Sequence, residues 1–321
     1  MRTYIARRLL QIIPVFIFII FILFFILERS PGGPAAMMQD PRVTPEQKAA
    51  MEIRLGLDQP FYVKFVNWMG ELVRGNMGYS ITHKKPVLDV ISDFIGPTFI
   101  LSFSALALSV VVGVPLGILS AVKQHTWLDN VLTVLALIGL SLPSFFFGLI
   151  LLKTFAIDIP LFPLFGFQDP GLRRADFWTQ FWDKARHVVL PATMLGLGGT
   201  ASFMRYTRSS MLEVIKQDYV RTARAKGVRE SVVIFRHAFR NALIPVVTLL
   251  GLSIPSLISG AVITENVFGF PGLGKIALDA TMQRNYPLIL GILAILTMLT
   301  LLAALLTDIA YAAVDPRVRY D

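Results

Sequence analysis

Between Asp218 and Gly227 the chain reads Asp-Tyr-Val-Arg-Thr-Ala-Arg-Ala-Lys-Gly, and a second basic segment ends on His237-Ala-Phe-Arg-Asn-Ala-Leu-Ile-Pro245. The chemistry open to these residues is docking. Arg221, Arg224 and Lys226 can reach acidic groups around a groove, and Ala223 and Ala225 are small enough for a partner's backbone to approach closely. Tyr219 and Thr222 complete the segment. Asp218 is placed to cap a helix beginning at Tyr219, its charge suiting the helix dipole, and Lys226-Gly227 is a matching stop. A second helix over Glu230 to Arg240 carries Val232, Val233, Phe235, Ala238 and Phe239 with cations between them. It leads into an apolar segment whose first turn holds Pro245, where the missing N–H removes little. On charge alone, these cations could equally mark the inner face of a membrane and lie flat on the lipid.

Bond-making chemistry finds little support. Serines are plentiful, but no histidine or paired acid stands at the centre of an apolar segment to activate one, so a catalytic site is not expected. His83, His125, His187 and His237 lack ligand-like spacing, and there are no cysteines, so no metal site is expected either. Phe268-Gly-Phe-Pro-Gly-Leu-Gly274 permits a tight turn but lacks the Gly-Lys-Ser/Thr ending of a phosphate loop. A nucleic-acid role is not expected, because no basic-aromatic platform is present.

The elements that position these residues are membrane spans. Of the 321 residues, 55% are apolar and only 16% charged, and the mean hydropathy is +0.64, too apolar for a soluble domain of this size. Six segments have the ~20 apolar residues that a span needs: Leu9 to Leu27, Thr98 to Val122, Val131 to Ala156, Val188 to Tyr206, Asn241 to Thr264 and Tyr286 to Ala313. The expected fold is an all-α membrane protein of six transmembrane helices with a small helical outer domain between the first two. The first span is read as retained, since Ser30-Pro-Gly-Gly-Pro34 lacks a small-x-small cleavage signature. Lys and Arg are roughly twice as dense in the segments on the N-terminal side. Both termini are therefore expected in the cytoplasm, the protein crossing the membrane several times in contact with lipid.

The expected organisation is an N-terminus and first span over 1–28, an outer domain over 29–97, a core over 98–313 with the basic loop at 207–240, and a tail over 314–321. Within the outer domain, Thr44-Pro45-Glu46-Gln47 opens a helix that runs to Leu55 and stops at Gly56. From Phe61 to Gly75 an apolar stripe of Phe61, Phe65, Trp68, Met69, Leu72 and Val73 recurs at helical spacing. It either packs on the membrane-domain rim or serves an external partner. A third short helix is expected from Pro86. Trp178 and Trp182, in the loop over Ile157 to His187, suit a membrane–water interface.

Polar and breaker residues within spans mark a polar route or close helix packing. Ser141, Pro143 and Ser144, then Gly196 to Thr200, then Ser253, Pro255, Ser256, Ser259 and Gly260 fit this description. Asp308 is either a relay carboxylate or, one turn from the basic C-terminus, an interfacial one.

The basic loop resembles the signature of permeases of binding-protein-dependent ABC importers. Thr222-Ala223 replaces much of the usual Glu-Ala-Ala start. The dipeptide/oligopeptide (nickel) branch is closer, with Tyr-Val-Arg-Thr-Ala-Arg-Ala-Lys-Gly followed by His-Ala-Leu-Arg-Asn-Ala-Leu-Ile-Pro. Pro31-Gly-Gly-Pro34, Leu55-Gly-Leu-Asp-Gln-Pro60, Gly75-Asn-Met-Gly-Tyr-Ser80, Ser141-Leu-Pro-Ser-Phe145 and Val267 to Gly274 with Tyr286-Pro287 agree. The resemblance implies the subunit with the larger outer domain in a type I importer, paired with a second homologous permease, two ABC ATPase subunits and an external substrate-binding protein. ATP and Mg would be bound by the ATPase subunits and no cofactor by this chain. Tyr219, Arg221, Thr222, Ala223, Arg224, Ala225, Lys226 and Gly227 would couple ATP hydrolysis to transport. Ser141, Pro143, Ser144, Thr200, Ser253, Ser256 and Ser259 would line the path, and Phe61, Phe65, Trp68 and Leu72 would meet the binding protein. The implied cargo is di- or oligopeptides; nickel chelates, glutathione and oligosaccharides occur in the same branch. An ion-coupled secondary carrier is the rival class. It calls for intramembrane charges, of which only Asp308 is evident.

Overall fold

The computed structural model describes residues 2–30, 59–257 and 261–314, with side chains over 7–307 apart from Ile244. The helix expected from Thr44 to Leu55, Ser259 and the side chain of Asp308 lie outside the described residues. The chain divides into two compact units, one of residues 1–96 with 272–321 and one of residues 97–271. Among the described residues, four helices are long and apolar enough to cross a membrane, and six spans result when each of two bent helix pairs counts as one.

The first unit is built on α1 (Arg2–Arg29) and the C-terminal α12 (Tyr286–Val314), which pack along each other. Against α1 lies α2 (Phe61–Val73), its aromatic stripe set edge-on to Phe21 and Phe24 at ring distances of 5.3–5.7 Å. Phe16, Ile20 and Ala294 form the buried centre beneath it, and Lys64 pairs with Glu28 at the margin. A short hairpin follows, β1 (Tyr79–Ser80) pairing with β2 (Lys85–Pro86), which the all-helical expectation did not contain. Asn285 holds this hairpin by donating to Ser80 Oγ and Thr82 Oγ1, both at 2.9 Å. Met77, Val87, Ile91, Leu288 and Ile292 close the core together with Leu273 and Ile276 of α11 (Leu273–Met282).

One continuous helix, α3 (Val87–Val122), replaces the separate short helix expected from Pro86 and the second span. Its two internal prolines are tolerated, as they are in other apolar helices whose neighbours satisfy the freed backbone groups.

In the second unit, α4 (Trp127–Ser141), α5 (Ser144–Leu152) and α9 (Arg240–Ser253) all pack on the long α6 (Phe177–Ile215). This unit also holds α7 (Asp218–Ala225), α8 (Glu230–Val232) and α10 (Val262–Val267). Two spans are bent at their breaker residues, and the bounds of one are corrected. The third span is not straight: α4 and α5 meet at 102°, because Leu142 precedes Pro143 and takes an extended conformation. The fourth extends past both expected ends, so Trp178 and Trp182 sit in its first turns, exposed, and not in a loop. The fifth bends by 49° and passes into a 3-10 turn at Pro255–Leu257.

Small residues let α3 approach α6 closely. A Cβ on Gly113 or Gly117 would lie 2.6 Å from the carbonyl oxygen of Thr200 or Met204. Ser109 ties the same pair by donating to Gly196 O at 2.9 Å. Gly196 and Gly199 therefore serve packing against Ala105 and Ser109, whereas Gly198 faces open space.

Candidate coupling site

The basic loop folds as a knob with a buried base. Gly227 adopts a φ of 74°, where only glycine is unstrained. Its N–H bonds Arg224 O at 2.9 Å and the Val228 N–H bonds Ala223 O at 3.3 Å, so α7 ends in a Schellman motif. At the other end the sequence expectation is corrected. Asp218 is the first helical residue, and Gln217 takes the capping position without a side-chain cap hydrogen bond. The Asp218 carbonyl instead accepts from Thr222 Oγ1 at 2.8 Å.

Val220 and Ala223 are buried against Val233, flanked by Val214 and Val228. Ala223 is thus not a small residue offered to a partner; it is part of the knob's anchorage. Arg224 is also committed within the loop, its guanidinium reaching Glu230 at 2.7 Å and 3.2 Å. This hydrogen bond raises Arg224 further above its ordinary pKa. The face left exposed carries Tyr219, Arg221, Thr222, Ala225 and Lys226. Arg221 lies 3.9 Å from Asp218, too far for a strong pair.

Behind the knob the chain runs through a π-helical segment, Val233–Phe239, directly into α9. Such segments are rare, and they are frequent at functional sites. Ala238 and Ala242 are fully buried against Met211 of α6, and Ser210 Oγ donates to Ala242 O at 3.0 Å. The knob, the π-segment and the ends of α6 and α9 are therefore mechanically continuous.

The residues singled out for a path are distributed. Ser141, Pro143 and Ser144 cluster, exposed, at the break between α4 and α5. Thr200, Ser253 and Ser256 direct their hydroxyls to their own backbone, at Gly196 O, Leu249 O and Ser253 O. Phe61, Phe65, Trp68 and Leu72 are half-buried, the stripe packing against α1 and α12 within its own unit. The free side of α2 shows Tyr62, Val66 and Val73.

An ion pair escaped the sequence reading. Asp129 of α4, 2% exposed, accepts from Arg208 Nε at 2.7 Å and Arg208 Nη2 at 2.9 Å. Ser120 Oγ and the His125 N–H, at 3.1 Å, complete its shell. Glu265 is likewise fully buried, accepting from Thr98 Oγ1 at 3.0 Å. Asp308 is therefore not the sole acid in an apolar setting. The signal available was Asp129, the one charged residue of the apolar α4, with Arg205 and Arg208 near the end of the apolar part of α6, charges that are unusual in lipid.

Residues 113–320 match the family described as binding-protein-dependent transport system inner membrane component, and residues 1–102 match its N-terminal region. The chain belongs to this family. It is a permease component of binding-protein-dependent transport, an integral protein of the inner membrane. The permease is 39% identical to the oligopeptide transport system permease protein AppB of Bacillus subtilis, over the full length of both chains. It is 37% identical to the dipeptide transport system permease protein DppB of Alkalihalophilus pseudofirmus, again over both full lengths. A chain from the inward-facing MetNI methionine ABC transporter shares the fold, with a TM-score of 0.56 at 16% identity, over 71% of the permease and 97% of that chain.

Proposed function

We propose that this permease is the membrane-spanning subunit of an ATP-driven importer of di- and oligopeptides. It works beside a second related permease, two ABC ATPases that bind the nucleotide and Mg, and an external binding protein that delivers cargo. Both termini face the cytoplasm, on the side of the basic loop. The observation that carries this reading is the knob: a short capped helix whose base is buried on Val233 and whose exposed face presents Tyr219, Arg221, Thr222, Ala225 and Lys226. That face fits an acidic groove on a soluble partner. Motion of the knob passes through the π-segment into α9. The exposed break at Ser141, Pro143 and Ser144 is the favoured part of the path. Full-length similarity to oligopeptide and dipeptide permeases supports peptides as cargo.

The test is uptake of a labelled dipeptide by proteoliposomes holding the complete complex, with ATP and the binding protein added separately. Uptake should require both, and Lys226→Glu should abolish it while leaving the chain inserted. Uptake by this chain alone without ATP would overturn the proposal.

A further inference from the structure

Between α4 and α6 lies a groove of about 730 Å³. The two helices run antiparallel: Asp129 meets Arg208 at one end, and Gly139 meets Leu197 and Ala201 towards the other. The lining therefore has a polarity gradient. Thr133, Arg205 and Ser209 stand at the end that leads to the knob, while Leu137 and Leu140 stand at the far end beside Ser202. From Ser202 to Ser209 the groove follows α6 for about 10 Å.

Two cations border it, and they differ. Arg208 is consumed by Asp129, whereas Arg205 is exposed and has no carboxylate partner among the described residues. A free guanidinium flanked by hydroxyls is suited to a phosphodiester, whose oxygens match its planar fork. At the far end Leu137 and Leu140 are exposed along one face of α4. A peptide lying there would leave its backbone amides unpaired beside Leu137 and Leu140, whereas an acyl chain has none to satisfy.

We propose that this groove is a binding site for an anionic phospholipid. The phosphate sits on Arg205 with Thr133 and Ser209, and one acyl chain lies along Leu137 and Leu140. The site rests on the orientation given above, which puts its polar end at the cytoplasmic surface, where anionic lipid attracts basic residues. Since α4 and α6 are joined by the Asp129–Arg208 pair beside it, the lipid would brace the end of α6 that carries the knob.

The experiment is native mass spectrometry of the complete complex, purified in mild detergent and exposed to phosphatidylglycerol or phosphatidylcholine. Phosphatidylglycerol should be retained in preference, and Arg205→Gln should reduce its retention about tenfold, the value of a charge-assisted hydrogen bond. Thr133→Val, which leaves the charge in place, should reduce retention less. Equal retention of the two lipids, or undiminished retention by Arg205→Gln, would overturn the site. So would a photo-crosslinker at Leu137 that captures the second permease or a labelled peptide in place of lipid. The readout uses neither ATP nor cargo, so a failure of peptide uptake would sink the transport proposal and leave this one standing.

Discussion

Replacing Arg208 with methionine tests the buried ion pair most directly. Asp129 would keep Ser120 Oγ and the His125 N–H but lose both guanidinium contacts, at 2.7 Å and 2.9 Å. With its side chain only 3% exposed, the carboxylate cannot recover them from water. Two hydrogen bonds to a charge contribute about 1.5–3 kcal/mol each, and breaking a buried pair on one side costs about 3–5 kcal/mol. The reciprocal change should be milder. Asp129→Asn leaves the Arg208 side chain 28% exposed and able to rehydrate, and should cost about 1–2 kcal/mol. Combining Asp129→Asn with Arg208→Met removes both charges and should restore most of what Arg208→Met loses. The assay is an SDS titration of the detergent-solubilised chain followed by tryptophan fluorescence, run on the three variants as a double-mutant cycle. The reasoning is refuted if Arg208→Met costs under about 1 kcal/mol, or no more than Asp129→Asn.

Two further outcomes follow from helix packing and capping. Gly117→Leu should destabilise the second unit by about 1–3 kcal/mol, because the added carbon meets the Met204 carbonyl; the same titration measures it, and Gly70→Ala, in open space, is the control. Asp176 caps α6 by accepting from the Thr179 N–H at 3.1 Å and from Thr179 Oγ1 at 2.6 Å, and these bonds hold its carboxyl below the ordinary value of 3.8. Its folded pKa is depressed, so the cap's contribution is present above the unfolded value and lost as pH falls through the folded one. Protection of the 177–180 amides, taken relative to their intrinsic exchange at each pH, should therefore fall in acid for the native chain and stay constant in Asp176→Asn, which caps without titrating.

Much of the architecture is legible in the residues themselves. A run of ~20 apolar side chains has few folded states other than a span, because the lipid-exposed backbone must satisfy its own hydrogen bonds. The α7 stop is equally local: Gly227 alone takes the φ of 74° that the Schellman closure needs. What the reading of α7 could not settle was which residues face outward. Ala223 and Ala225 look alike in sequence, yet the turn after Gly227 brings Val233 onto one and not the other.

The same division separates the rest of the chain. Six apolar segments, a basic loop at 207–240 and a stripe from Phe61 to Leu72 follow from composition and spacing, which depend only on nearest neighbours along the chain. Tertiary structure decided what lies across from each. It set the stripe against Phe21 and Phe24, bent the third span at Pro143, joined Asp129 to Arg208 across 79 positions and left Arg205 without an acid among the described residues. Charge pairing and close helix contact depend on distances in space between residues remote in sequence, and no local pattern records those distances.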